Sequence, residues 1–153
     1  LLIFFLPYCA VAQLEDDFSD GDFTNNPAWN GDAANFEVDA NFTLHLNAPA
    51  VSNEAYLSIP SVAVDTSLWE VTVEMNFNPS SSNRARIYLM STSANLESSL
   101  NGYFVELGNS EDEVSLYRQT GNSTSKIIDG VDDLLDLNGV AVMIRVTRNI
   151  LDR

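Results

Sequence analysis

Basic side chains are scarce in this chain of 153 residues, where Lys and Arg number 7 against 22 Asp and Glu for a net charge of −15. A surface so acidic repels nucleic-acid phosphates and anionic lipid heads alike, which excludes nucleic-acid binding as a function. Cysteine is scarcer still. Cys9 is the only one and lies in an apolar leader, so a chain trimmed of that leader has no disulfide, no Cys-ligated zinc and no thiol nucleophile. A Ser-His-Asp triad would have to use His45, the single histidine, and no G-x-S-x-G turn is present to offer a serine. A phosphate-cradling G-x-x-x-x-G-K-[ST] loop is also missing. No stretch of ten or more residues keeps apolar positions at helical spacing, so a helical fold is not expected. What remains is ample apolar material, 45% hydrophobic and 10% aromatic, enough to bury a core despite the charge. The length suits one ordinary domain with an appendage.

The appendage is Leu1 to Ala12, LLIFFLPYCAVA. It is uncharged, as long as a signal-peptide hydrophobic region and too short to cross a bilayer as a helix. Ala10-Val11-Ala12 puts small residues at −3 and −1 before Gln13, although the usual Met and basic start are not in the sequence. The expected layout is a signal peptide over 1–12, truncated at its start, and one β-sandwich domain over 13–153. The protein is then secreted or displayed at the cell surface, with no membrane insertion after cleavage. Bulky Tyr8 before Cys9 argues against a lipobox. The chain stops at Arg153 just after a strand pattern, so the last strands of the sandwich are expected to be missing.

From Glu15 onward the pattern alternates strands with turns, and the expectation is an all-β, antiparallel two-sheet sandwich. Leu68–Phe77 is the clearest strand, with Trp69, Val71, Val73, Met75 and Phe77 on one face and Glu70, Thr72, Glu74 and Asn76 on the other. Others are Phe36–Val38, Thr43–Asn47, Ala55–Ile59, Ala85–Ser91, Tyr103–Leu107, Val114–Gln119, Lys126–Asp129 and Val140–Thr147. Pro79–Asn83 and Gly121–Ser123 read as hairpin turns. Gly130–Gly139 could hold a helical turn, with Leu134, Leu135 and Leu137 covering a sandwich end.

Three groups of residues are candidates for chemistry. Asp16, Asp17, Asp20 and Asp22 are hard oxygen ligands at a density that suits a structural Ca²⁺, although Phe18 and Pro27 exclude an EF-hand loop; a solvated turn is the plainer reading. Glu111 and Glu113 could project to one side as a catalytic pair, but their acidic neighbours place them in a solvated turn. His45, between Leu44 and Leu46, should point outward. The third group lies on strand faces opposite the core: Arg86 and Tyr88, Phe104 and Glu106, Tyr117 and Gln119. Together they offer aromatic rings, an arginine, an amide and a carboxylate on an outer face, a mixture that stacks on sugars or grips a protein. The alternative is that the same face is covered.

NPAWNGD (Asn26–Asp32), WEVTVEMNFNPSSSNRARIYLMS (Trp69–Ser91), NGYFVELG (Asn101–Gly108) and DEVSLYRQTG (Asp112–Gly121) form a series of strand patterns. Together, over Glu15 to Arg148, this series resembles the N-terminal concanavalin A-like (laminin G-like) jelly-roll modules of secreted surface proteins in gliding-type Gram-negative bacteria. Such modules often precede lamin-tail, immunoglobulin-like and C-terminal sorting domains. The resemblance implies a jelly roll with further domains in the same polypeptide and a glycan or a surface protein as partner. The class also holds laminarinase-type hydrolases with an E-x-D-x-(x)-E strand. WEVTVEM lacks the central aspartate and ELGNSEDE has the wrong spacing, so the resemblance favours adhesion or carbohydrate binding over hydrolysis, with a structural spacer as a third role. Protein recovered outside the cytoplasm is expected to begin at Gln13 by intact mass; residues retained before Gln13, or lipid on Cys9, would contradict the leader.

Overall fold

The computed structural model describes residues 14–62 and 65–149. The signal-peptide expectation therefore lies outside the described residues. By their contacts the chain's residues fall into two compact units, one running to Ile59 and the other starting at Pro60.

The first unit is built from short pieces: β1 (Asn30–Gly31), a 3₁₀ turn at Ala33–Asn35, β2 (Phe36–Val38), β3 (Leu44–Leu46) and β4 (Leu57–Ser58). β1 pairs antiparallel with β4 and β2 with β3. Asp39 closes the β2–β3 turn by accepting the N–H groups of Asn41 at 2.8 Å and Thr43 at 2.9 Å. The Thr43 N–H, first among these bonds, holds its carboxyl below the ordinary range. His45 is exposed, its Nδ1 3.4 Å from Glu37.

The second unit holds β5 (Ser67–Met75), β6 (Ala85–Ser91), β7 (Leu100–Leu107), β8 (Val114–Gly121), β9 (Ser123–Ile128) and β10 (Val140–Arg148). β5 and β10 pair antiparallel along their whole length, from Ser67 opposite Arg148 to Met75 opposite Val140. The other four make an antiparallel sheet in the order β6-β7-β8-β9. Met75, Val140 and Ile144 of the pair pack with Leu89, Val105 and Leu107 of the four-stranded sheet, and Leu135 joins them from the β9–β10 connection. The result is a two-layer, antiparallel β-sandwich with its core between the sheets. The alternation read for β5 holds, since Trp69, Val71 and Val73 are half-buried, Met75 is buried, and Glu70, Thr72 and Glu74 are exposed. Phe77 lies beyond the strand and is exposed.

Two expected connections differ. Pro79–Asn83 is not a hairpin, because β5 pairs with β10 and β6 with β7, so the segment crosses from one sheet to the other. The crossing is compact, since Ser80 and Asn83 exchange backbone hydrogen bonds at 2.8 and 3.2 Å and Pro79 is fully buried. Gly108 ends β7 against it at φ +82°, where an added Cβ would lie 2.7 Å from the Pro79 ring, a site that only glycine fits. Gly121-Asn122, by contrast, is a two-residue hairpin turn between Thr120 and its partner Ser123. The 130–139 connection forms turns rather than a helical cover. Only Leu135 of its three leucines is buried, at 1% exposure, whereas Leu134 and Leu137 are exposed. Leu135→Ala should therefore cost about 3 kcal/mol, and Leu137→Ala less than about 0.5 kcal/mol, in urea unfolding; equal effects would contradict this assignment of the core.

Candidate functional site

β6, β7 and β8 bring the six strand-face candidates together. Leu89, Val105 and Leu107 point into the sandwich, and strand alternation sends Arg86, Tyr88, Phe104, Glu106, Tyr117 and Gln119 to the opposite side. The register sets Arg86 opposite Glu106, Tyr88 opposite Phe104, and Phe104 opposite Tyr117. Arg86 Nε donates to Glu106 Oε2 at 2.6 Å, and Arg84 Nε lies 3.4 Å from the same oxygen. The Arg86 guanidinium also sits 4.9 Å over the Phe104 ring, within cation–π range. Phe104 stacks on Tyr117 at 5.3 Å and 4° and meets Tyr88 at 5.0 Å and 38°. At the far end the Tyr88 hydroxyl donates to Gln119 Oε1 at 2.6 Å, while Gln119 Nε2 donates to the Gly121 carbonyl at 2.9 Å.

The face is not the open platform that the pattern suggested. Phe104 is 0% exposed, Glu106 and Gln119 are buried, and Arg86, Tyr88 and Tyr117 are half-buried. Period-two alternation tells which side of a sheet a residue takes, not how far that side is covered. A ring held between two others with no exposed surface cannot offer a face to a sugar, so Phe104 serves the stack, and only Arg86, Tyr88 and Tyr117 keep surface that a ligand could reach.

The turn from β7 to β8 carries a cluster that the sequence pattern did not reveal. Glu111 and Glu113 do not act as an exposed pair, since Glu111 is exposed and Glu113 is completely buried. Lys126 of β9 makes an ion pair with Glu113 Oε1, to which Asn109 Nδ2 also donates at 2.8 Å. Lys126 reaches Asp129 Oδ1 at 2.6 Å and Glu111 Oε2 at 3.7 Å as well. Asn109 touches the Tyr117 hydroxyl at 3.4 Å, which links this cluster to the aromatic stack. Burial alone would raise the Glu113 carboxyl, but hydrogen bonds from Lys126, Ser115 and Asn109 outweigh it and hold the group at about 2. Lys126 is raised above its ordinary value by its bonds to Asp129 and Glu113. The one available sequence signal was Lys126, a lone cation on a strand whose register with β8 local pattern does not reveal.

The four aspartates proposed for Ca²⁺ are each engaged in hydrogen bonds within the first unit. Asp16 accepts the Phe18 N–H at 2.9 Å and the Trp29 indole N–H at 2.7 Å. Asp17 accepts the Ser19 N–H at 3.0 Å, and Asp20 the Asp22 N–H at 3.0 Å. Asp22 accepts the Thr24 N–H at 2.7 Å, then Asn25 and the Thr24 hydroxyl, and these bonds hold its carboxyl at about 2. These are consecutive side-chain-to-backbone turns. Asp16, Asp17 and Asp20 line an open depression of about 340 Å³, but among the described residues no three acidic, His or Cys side chains are grouped to hold a metal ion.

No family model, curated protein or solved structure matches this chain. The sandwich rests on its observed strands, and the concanavalin A-like reading on the sequence resemblance alone.

Because the folded-state value of Glu113 is depressed, its interactions contribute fully above the ordinary value of 4.5 and are lost as pH falls towards 2. Glu113→Gln should therefore lose about 3 kcal/mol at neutral pH. The gap should narrow as the parent's carboxyl protonates, measured by urea unfolding across the acid range. A gap that stays constant down to pH about 2 would contradict this role for Glu113.

Proposed function

We propose that this chain is a non-catalytic extracellular module, of concanavalin A-like type, that serves adhesion or carbohydrate binding within a larger surface protein. The observation that supports it best is the state of the two carboxylates on the polar face. Glu106 is matched by Arg86 and Arg84, and Glu113 by Lys126 and Asn109. A two-acid glycosidase needs one carboxyl kept protonated near neutral pH so that it can act as general acid. Glu113, held at about 2 and bonded by Lys126 and Asn109, is not that group. A laminarinase-like hydrolase is therefore the weaker reading.

Binding would use what remains accessible, the Arg86 guanidinium and the edges of the Tyr88 and Tyr117 rings. Rings with a polar tip beside a planar cation are suited to sugar hydroxyls and to polar protein surfaces. The complete burial of Phe104 favours a second reading, a spacer whose braced face only displays neighbouring domains.

A glycan array and a reducing-sugar assay on β-glucans, run on the purified protein, separate these readings. The expected result is glycan retention without sugar release, weakened about tenfold (1.4 kcal/mol) by Arg86→Lys and by Tyr117→Phe. Sugar release abolished by Glu106→Gln would overturn the proposal in favour of hydrolysis. Neither retention nor release would leave the spacer.

A further inference from the structure

At one end of the sandwich of the second unit, two connections lie against each other. In the β9–β10 connection, Asp133 N–H donates to the Glu111 carbonyl at 2.9 Å and Leu135 N–H to the Asp112 carbonyl at 2.8 Å, both in the β7–β8 turn. Leu135 plugs the core, and its neighbours are left outside: Val131 is 68% exposed, Leu134 53% and Leu137 57%, with Ile127 and Ile128 also exposed on the strand leading in. Five of the residues from 127 to 137 are thus large apolar side chains left exposed, three of them, Val131, Leu134 and Leu137, within the β9–β10 connection itself. Interleaved with them are the exposed Glu111, Asp129, Asp132, Asp133 and Asp136. Lys126, the one cation in these segments, is already shared among Glu113, Asp129 and Glu111.

The character of this surface selects its occupant. A strand added to the edge of β9 is disfavoured, because the register shift between Leu116 and Tyr117 leaves Ile127 unpaired, and a bulge beside a lysine is how sheet edges resist pairing. A second copy would bring the same carboxylates face to face, and anionic lipid or nucleic acid meets the same repulsion. The complement is a protein segment that carries basic and apolar side chains together.

We infer that this end of the second unit is a docking surface for a cationic, amphipathic segment of a protein partner. Apolar side chains of the partner rest on Val131, Leu134 and Leu137, and its basic groups face Asp132, Asp133 and Asp136. The surface shares no residue with the polar face proposed for glycan binding, so either reading can fail without the other.

The test is fluorescence anisotropy on the purified protein with two labelled synthetic peptides: a helical one with Lys on one face and Leu on the other, and an oligolysine of equal net charge. The amphipathic peptide should bind at least about tenfold more tightly than oligolysine. That preference should be lost in the triple variant Val131→Ser, Leu134→Ser, Leu137→Ser, while Asp132→Asn, Asp133→Asn, Asp136→Asn should weaken both peptides. All six side chains are exposed, and the 2.8 Å bond from Asn78 Nδ2 to Asp136 Oδ1 can be kept by the amide oxygen of Asp136→Asn, so unfolding midpoints should stay near the parent's and report intact folds. Equal affinity for both peptides, or full affinity in the serine variant, would overturn the inference. So would self-association of the parent in sedimentation that the serine variant abolishes, since it would assign the surface to a second copy.

Discussion

Two carboxylates are withdrawn from water on the polar face of the four-stranded sheet, and the arrangement of that face follows from neutralising them. An ion moved out of water costs several kcal/mol unless a partner of opposite charge and further hydrogen bonds meet it. The chain has only 7 cations to do this, and Arg84, Arg86 and Lys126 are committed to Glu106 and Glu113. Strand pairing makes the match possible. Arg86 faces Glu106 directly across β6 and β7, and Lys126 faces Tyr117 across β8 and β9, within reach of the β7–β8 turn. The guanidinium that neutralises Glu106 also covers Phe104, and the asparagine that bonds Glu113 also touches Tyr117. Charge compensation and ring stacking are therefore one connected network, in which losing Lys126 would leave the buried Glu113 carboxylate without its cation.

That network constrains function. Groups already bonded to one another contribute to positioning and rigidity. On the four-stranded sheet, side chains that keep accessible surface include Arg86, Tyr88 and Tyr117, and the β7–β8 turn and β9–β10 connection form an acidic, apolar end. Asp16, Asp17, Asp20 and Asp22 of the first unit are similarly occupied, each holding the backbone of its own turn. The acidic excess thus does three local jobs: it folds turns, it anchors the sheet face and it charges one end of the sandwich.

Much of the strand layout was legible in the residues. LWEVTVEM alternates so cleanly that its buried and exposed faces could be assigned, and ARIYLMS was bounded correctly at both ends. The start of β7 was less visible, because Leu100-Asn101-Gly102 looks like turn material, and the start of β9 was equally obscure because Ser-Thr-Ser resembles a loop. The crossing at Pro79–Asn83 was unreadable for a different reason: β5 takes its partner from β10, and no local pattern encodes a pairing so distant. The candidate face followed the same division. Alternation placed six residues on one side correctly, whereas the burial of Phe104 and the pairing of Glu113 with Lys126 depend on register and cover. Glu111-Asp112-Glu113 reads as a solvated run, yet Glu111 faces out while Glu113, the last residue of the run, is bound into the sheet face.

Charge compensation on this face is tested most directly by the ionisation of Glu113 itself, followed by NMR of its side-chain carboxyl carbon during an acid titration of the folded protein. The expected result is a carboxyl that stays ionised down to about pH 2, in line with its bonds to Lys126, Ser115 and Asn109. A midpoint at or above the ordinary 4.5 would contradict it, because Glu113 would then be a buried acid that burial controls and Lys126 does not neutralise.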